Sequence, residues 1–255
     1  GCRNLIFTSK KEDLKVKNNS NRNRQREIKR KIKLPAPGIK DADIKKFCDS
    51  IAVRYPFSYY RKFNVDLIRD ALIENENITE KFFRGMTVEN TVFRRCRILV
   101  STLKQWSFTD TIFDSCDFSN TTFDNCRFIR CASIESKFTG GSFLKSLIYD
   151  FSANLSIFKY TNINDSRMEY VRFFDCDFTE TMFRNDRLFR LELLKCMFKR
   201  CEFLYTSLSG VDFSSCSLIE PRISEYFSEF RGAKVSITQT AEIAKILGTD
   251  VVDDS

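Results

Sequence analysis

The residues best equipped for chemistry are ten cysteines, and the residue they most often work with is missing. The 255-residue chain contains no histidine. That removes Ser-His-Asp and Cys-His nucleophilic sites, His-ligated metals and histidine pH switching together. Disulfides or thiolate metal sites remain open to ten cysteines, but the spacing argues against both. Cys96, Cys116, Cys126, Cys131, Cys176, Cys196, Cys201 and Cys216 all differ by multiples of five. A set locked to a repeat in this way reads as small buried packing residues. No Gly-rich phosphate loop, spaced carboxylate pair or nucleophile–base pair emerges either. The reading is a non-enzyme, with no cofactor and no metal. So many free thiols suit a reducing compartment, and the cytoplasm is the expected location, with secretion into a host cell as the alternative.

What positions the cysteines is a period of five. From Ile78 to Ile223, thirty positions run in one register without an insertion, and sixteen of them are Phe. Only Ser133 and Ala153 are not large and apolar. Five matches neither the helical 3.6 nor the strand 2.0. Two residues before each large residue stands a small one, mostly Cys, Thr or Ser. Residues two apart on extended backbone point the same way. Each pentamer is therefore a short extended piece with a large and a small residue facing inward, and a corner follows it.

The units Cys116-Asp117-Phe118-Ser119-Asn120 and Cys176-Asp177-Phe178-Thr179-Glu180 resemble the pentapeptide-repeat family. That resemblance implies an all-β solenoid, a right-handed quadrilateral β-helix with four pentamers per coil. Thirty pentamers make 7.5 coils and a rod of roughly 35 Å at the usual strand spacing. Residues twenty apart then stack. Phe113, Ser133, Ala153 and Phe173 share one stack, where Phe151 fills the volume left by Ser133 and Ala153. Asp186 takes an inward small position between Ser166 and Thr206, whose hydroxyls are expected to satisfy it.

The net charge of +8 belongs to one end. Residues 1–40 carry +10, residues 41–75 and 76–225 carry zero, and residues 226–255 carry −2. The organisation follows. Residues 1–40 form a basic, disordered tail ending at Leu34-Pro35-Ala36-Pro37-Gly38. Residues 41–75 form a helical cap with helices over 43–53 (Ile44, Phe47, Cys48, Ile51, Ala52) and 58–75 (Tyr60, Phe63, Leu67, Ala71, Leu72). Residues 76–225 are the repeats. Residues 226–255 hold a helix opened by the capping box Ser236-Ile237-Thr238-Gln239, closed by Gly248 and followed by an acidic tail.

Two outer faces stand out. One interleaves Arg127, Arg130, Arg167, Arg187 and Arg190 with Tyr149, Tyr170 and Phe189, diluted by Asp150 and Glu169, and is the candidate partner-binding face. Its neighbour is apolar: Val92, Ile112, Ile134, Leu155, Phe174 and Leu194, expected to be covered by the N-terminal helical segment. The string from Gly232 through Gln239 to Val251, with the Phe- and Cys-rich repeats, is similar to the quinolone-resistance (Qnr) and microcin-immunity subfamily. That similarity implies a homodimer joined through the C-terminal helix, here Ile237, Ile243, Ala244, Ile246, Leu247 and Val251. It also implies engagement of DNA gyrase by a rod resembling duplex DNA, in quinolone or toxin protection.

Three functional readings stay open. The first is a non-enzymatic protein-binding scaffold, such as a secreted effector or adaptor. Within it, Gly1-Cys2 ahead of the basic tail suits acylation and membrane contact. The second is the gyrase-interacting protein. The third is nucleic-acid binding through residues 1–40.

Overall fold

The structure is a computed structural model and describes residues 66–78 and 82–252. The basic tail, the helix over 43–53 and the start of the helix over 58–75 lie outside the described residues.

The described chain is a parallel β-solenoid of about eight turns, built on the five-residue period and followed by one C-terminal helix. All strand pairs are parallel, and almost every one is offset by twenty residues, as in Thr87↔Ser107, Ser107↔Arg127 and Arg127↔Leu147. A twenty-residue coil built from pentamers has four sides. Two adjacent sides share a ten-stranded sheet, and a third carries an eight-stranded sheet. The fourth is held mostly by single bridges such as Asp117↔Lys137 and Lys137↔Ile157.

The corners explain the period. Nearly every residue two after a large inward residue has a left-handed backbone, from Asp70 (φ 56°) and Asn75 (φ 57°) to Arg200 (φ 52°) and Tyr205 (φ 56°). The turned amide then bonds forward to the next coil, as in Asn125 N–H to the Leu144 carbonyl at 2.8 Å. Left-handed backbone disfavours β-branched side chains, and among these corner residues only Val100 (φ 51°) is one.

Inside, the phenylalanines form columns. Phe118, Phe138, Phe158, Phe178 and Phe198 stack nearly parallel, with successive centroids 5.2, 4.9, 5.0 and 4.9 Å apart. Those separations match the strand spacing, so backbone pairing and ring stacking reinforce each other. Ser133 and Ala153 are buried, and Phe151 beside them borders a void. An apolar cavity of about 20 Å³ remains, lined by Phe128, Ile148, Phe151, Ile163, Met168 and Phe173 among others.

The cysteines are free, and all but the half-buried Cys216 among those described are buried. Most of the small hydroxyl and thiol residues reach back 23 positions to a carbonyl. The thiols of Cys116, Cys126 and Cys201 donate to the carbonyls of Phe93 (3.3 Å), Leu103 (3.2 Å) and Phe178 (2.7 Å). The hydroxyls of Thr121, Thr161 and Thr181 do the same for Ile98, Phe138 and Phe158. Cys, Ser and Thr are interchangeable here because each is small and carries one donor. Burial pushes the thiols of Cys126, Cys131 and Cys201 up to about 12, which suppresses thiolate chemistry.

Two expectations need correction at the N-terminal end. Residues 67–74 are not helical: Leu67–Arg69 and Leu72–Glu74 are strands paired with Thr87–Glu89 and Val92–Arg94. The repeats therefore begin near Leu67 rather than at Glu76. Ile68 and Ile73 continue the period of five and are fully buried; the helical spacing of Leu67, Ala71 and Leu72 masks it.

At the other end the helix forms over Ile237–Ile246, with both halves of the capping box present. Gln239 does more than cap the helix. Its side-chain amide donates to the carbonyls of Phe213 (3.0 Å) and Cys216 (2.8 Å), where a further coil would place its own donors. Glu242 likewise accepts from the Glu220 amide at 2.8 Å. The helix thus closes the solenoid by side-chain mimicry of a next coil.

Val100 is 66% exposed, so its side chain gains little in return for a left-handed backbone. Val100→Asn is expected to stabilise the protein by about 1 kcal/mol, raising Tm by a few degrees. Thermal unfolding followed by circular dichroism measures this; an unchanged or lower Tm counts against corner strain.

Candidate partner-binding face

The Arg–aromatic face is built by four eight-residue strands, Arg127–Ile134, Leu147–Asn154, Arg167–Phe174 and Arg187–Leu194. They run around a corner without breaking, so two sides of the coil act as one surface. Register creates columns on it. Arg127, Leu147, Arg167 and Arg187 form one, and Ile129, Tyr149, Glu169 and Phe189 another.

The structure brings most of the expected residues together. Tyr149 and Tyr170 meet edge to face at 5.4 Å, and Tyr170 and Phe189 at 5.5 Å. The Arg190 guanidinium lies over both Tyr170 (5.2 Å) and Phe189 (5.5 Å). These rings stay accessible: Tyr149 is 38% and Phe189 51% exposed. An open aromatic triplet with a cation fixed on it is a surface suited to burial by a partner.

The arginines divide into two groups. Arg130 is engaged by both oxygens of Asp110, at 2.7 and 3.0 Å. Arg167 pairs with Glu169. Asp150, the other acid of the face, is taken by Arg172 at 3.3 Å. Arg127, Arg187 and Arg190 are exposed and make no ion pair among the described residues. Arg187 moreover stands directly against Arg167 in the ladder. Like charges in register raise the local demand for an anion.

The apolar neighbour behaves as two parts. Val92 and Ile112 are fully or nearly fully buried, although their strand neighbours Phe93 and Phe113 are the ones facing the axis. Ile134 is buried with them, whereas Leu155 and Leu194 are 45% and 43% exposed. Phe174 lies under the Lys195 ammonium, 5.8 Å from its ring centroid. The stripe is thus buried at its N-terminal half and open at its C-terminal half. The segment expected to cover it lies, up to residue 65, outside the described residues. The helix residues divide similarly: Ile243 packs on the core, Ala244 and Ile246 are half-buried, and Ile237, Leu247 and Val251 are exposed, Ile237 by 91%.

Asp186 sits at the head of the last face strand, inside a ladder of hydroxyls. Amide 126 donates to the Ser146 hydroxyl (3.2 Å), and amide 146 to that of Ser166 (3.0 Å). Amide 166 donates to Asp186 Oδ1 (2.8 Å), and amide 186 to the Thr206 hydroxyl (3.1 Å). The expectation that Ser166 and Thr206 hydroxyls donate to this carboxyl is therefore incorrect; a backbone amide serves one oxygen. The buried Oδ2 has no hydrogen-bond partner among the described residues. Burial pushes the carboxyl up to about 8. A protonated carboxyl replaces a serine hydroxyl better than a carboxylate, because it can donate as well as accept.

Sequence reasoning missed Glu229, which is buried between coils. Its Oε1 accepts the amides of Tyr205 (3.0 Å) and Ser224 (3.2 Å). Burial works against its charge, yet these bonds hold its carboxyl below the usual carboxylate range.

No protein-family model and no curated protein sequence matches the chain. Among solved structures, full-length QnrB1, a plasmid-mediated fluoroquinolone resistance protein, is 16% identical with a TM-score of 0.33, covering 72% of this chain and 99% of that one. HetL, a pentapeptide repeat protein involved in heterocyst differentiation regulation from the cyanobacterium Nostoc sp. strain PCC 7120, is 11% identical with a TM-score of 0.44, covering 78% and 92%.

Asp186 carries a pH signature. The folded state keeps a proton that the unfolded chain, with a carboxyl near 3.9, releases. Stability contributed here is present below about pH 4 and is lost as pH rises towards 8. Asp186→Asn is expected to remove that slope and to gain on the order of a few kcal/mol over the parent at pH 8. Denaturant titrations at pH 5 and pH 8 decide it; identical slopes for both proteins place the proton elsewhere.

Proposed function

We propose that this protein is a non-enzymatic protein-binding scaffold that holds an acidic protein partner on its Arg–aromatic face. The observation that carries the reading is the coincidence, on one rigid sheet, of three unpaired arginines with an exposed aromatic triplet. Arginine and aromatic side chains dominate the energetics of protein interfaces, and a sheet braced by stacked coils presents them with little entropy left to lose. The repeats as a whole carry no net charge, so the cationic character is local to this face. That favours an acidic partner over a basic DNA-binding saddle of the gyrase kind, which an acidic surface would suit better. The lack of histidine and the burial of Asp186 as a substitute hydroxyl support the non-enzymatic part of this reading.

A photo-crosslinking side chain placed at Tyr149, compared with one at Asp124 on another side of the coil, tests this in the native cell. Adducts are expected from position 149 and are expected to vanish in Arg127→Glu/Arg187→Glu/Arg190→Glu. Adducts from position 124 alone, or adducts at 149 indifferent to charge reversal, contradict the reading.

A further inference from the structure

The solenoid closes unevenly at its C-terminal end. On two sides pairing continues into the final coil: Met197–Lys199 pairs with Ser217–Ile219, and Glu202–Leu204 with Arg222–Ile223. On the other two, the strand Arg187–Leu194 pairs only with Arg167–Phe174 behind it. Residues 207–214, which would have formed the next rung, fold differently. Tight turns close them, with Val211 N–H on the Leu208 carbonyl (2.9 Å) and Cys216 N–H on that of Phe213 (2.8 Å). This segment bonds forward, Leu208 to Glu229, Gly210 to Gly232 and Phe213 to Lys234. The offset there is 21 or 22 residues, where the amide-to-carbonyl step along the regular corners is 19. Burial records the split. One coil earlier Met168, Val171 and Phe173 are buried, whereas Leu188, Leu191 and Leu193 are only half-buried.

An eight-residue edge with no ladder partner in front of it among the described residues, and with the Leu193 carbonyl alone taken there, by the Ser215 hydroxyl at 3.2 Å, is a template for another extended chain. Three features define that chain. The backbone row requires a strand, because only main chain supplies donors and acceptors at that spacing. The half-exposed leucines require apolar side chains on its inner face. Arg187 and Arg190, both without an ion pair, together with Lys195 beyond the strand end, favour acids on its outer face; the one acid of the strand, Glu192, lies in register with Arg172. We propose that the free edge of Arg187–Leu194 is a strand-addition site that receives an extended acidic segment of the partner. This rests on the scaffold reading and specifies how the partner is held: its strand continues the sheet, while its remainder lies over Phe189, Tyr170 and Tyr149. A second copy of this chain suits the edge less well, since an antiparallel pairing of two such strands brings their Arg190 side chains together.

The test uses the full chain with two synthetic peptides, an acetylated, amidated octapeptide alternating Asp and Val and its Lys–Val counterpart. Binding is followed by fluorescence anisotropy, and hydrogen exchange is read at the amides of residues 188–195. The account expects the acidic peptide to bind and to slow those amides by about tenfold or more. It expects Arg187→Glu/Arg190→Glu to weaken binding by about tenfold or more, and the lysine peptide not to bind. Binding of the acidic peptide without slowed exchange overturns strand addition and leaves the face reading standing. Failure of the acidic peptide to bind overturns the proposal outright. Exchange that slows with rising protein concentration alone assigns the edge to a second copy and overturns it too.

Discussion

Everything in this molecule depends on a backbone that turns a corner every five residues. A left-handed residue at nearly every described corner aims an amide at the next coil and returns the chain to extended form. The turn leaves a carbonyl pointing inward near the axis, and a buried carbonyl needs a donor. The small residue one coil later provides it, through a hydroxyl or a thiol. This is why cysteine is abundant in a chain with no cysteine chemistry. The large residue of each pentamer, set against its copies at strand spacing, completes the core as stacked rings. Closing the coil, satisfying the carbonyl and filling the axis are one geometric solution repeated.

The same regularity makes the surface legible as columns, and function resides where columns depart from balance. On most of the solenoid, cross-rung ion pairs such as Arg94 with Asp114 (2.8 Å) and Arg200 with Glu180 neutralise the outer positions. On the Arg–aromatic face the acids are consumed by Arg130, Arg167 and Arg172, leaving Arg127, Arg187 and Arg190 over. The last of these strands is also the last rung of its sheet. A change from an extended corner to tight turns at residues 208–216 ends the pairing there. Downstream, Glu229, Gln239 and Glu242 stand in for missing backbone partners, so the end of the rod is sealed on some sides and open on others.

Much of this was readable in the chain itself. The phase of the phenylalanines located the inward positions, and the Ser236–Gln239 box located the helix start. Two things were hidden for physical reasons. Around residues 67–75 the apolar residues satisfy both a helical and a five-residue spacing, and tertiary pairing with the next coil decides for strand. Near residue 206 the inward sequence Leu208, Val211, Phe213 keeps the pattern while the turn type changes, so the break in pairing leaves no mark in hydrophobicity. Glu229 escaped, and the partner of Asp186 was misassigned, for a related reason. A carboxylate accepting backbone amides and a carboxylic acid acting as a hydroxyl are defined by what surrounds them, not by residue type.

The central claim is that the twenty-residue coil, rather than hydrophobic content, dictates the fold. Excising residues 112–131 removes one full turn and rejoins Thr111 to Ala132 in phase. Excising residues 112–129 removes less chain but shifts every later corner by two positions. Cooperative thermal unfolding with retained β-type circular dichroism is predicted for the twenty-residue deletion, and loss of cooperative unfolding for the eighteen-residue one. Comparable unfolding of the two proteins would contradict the account.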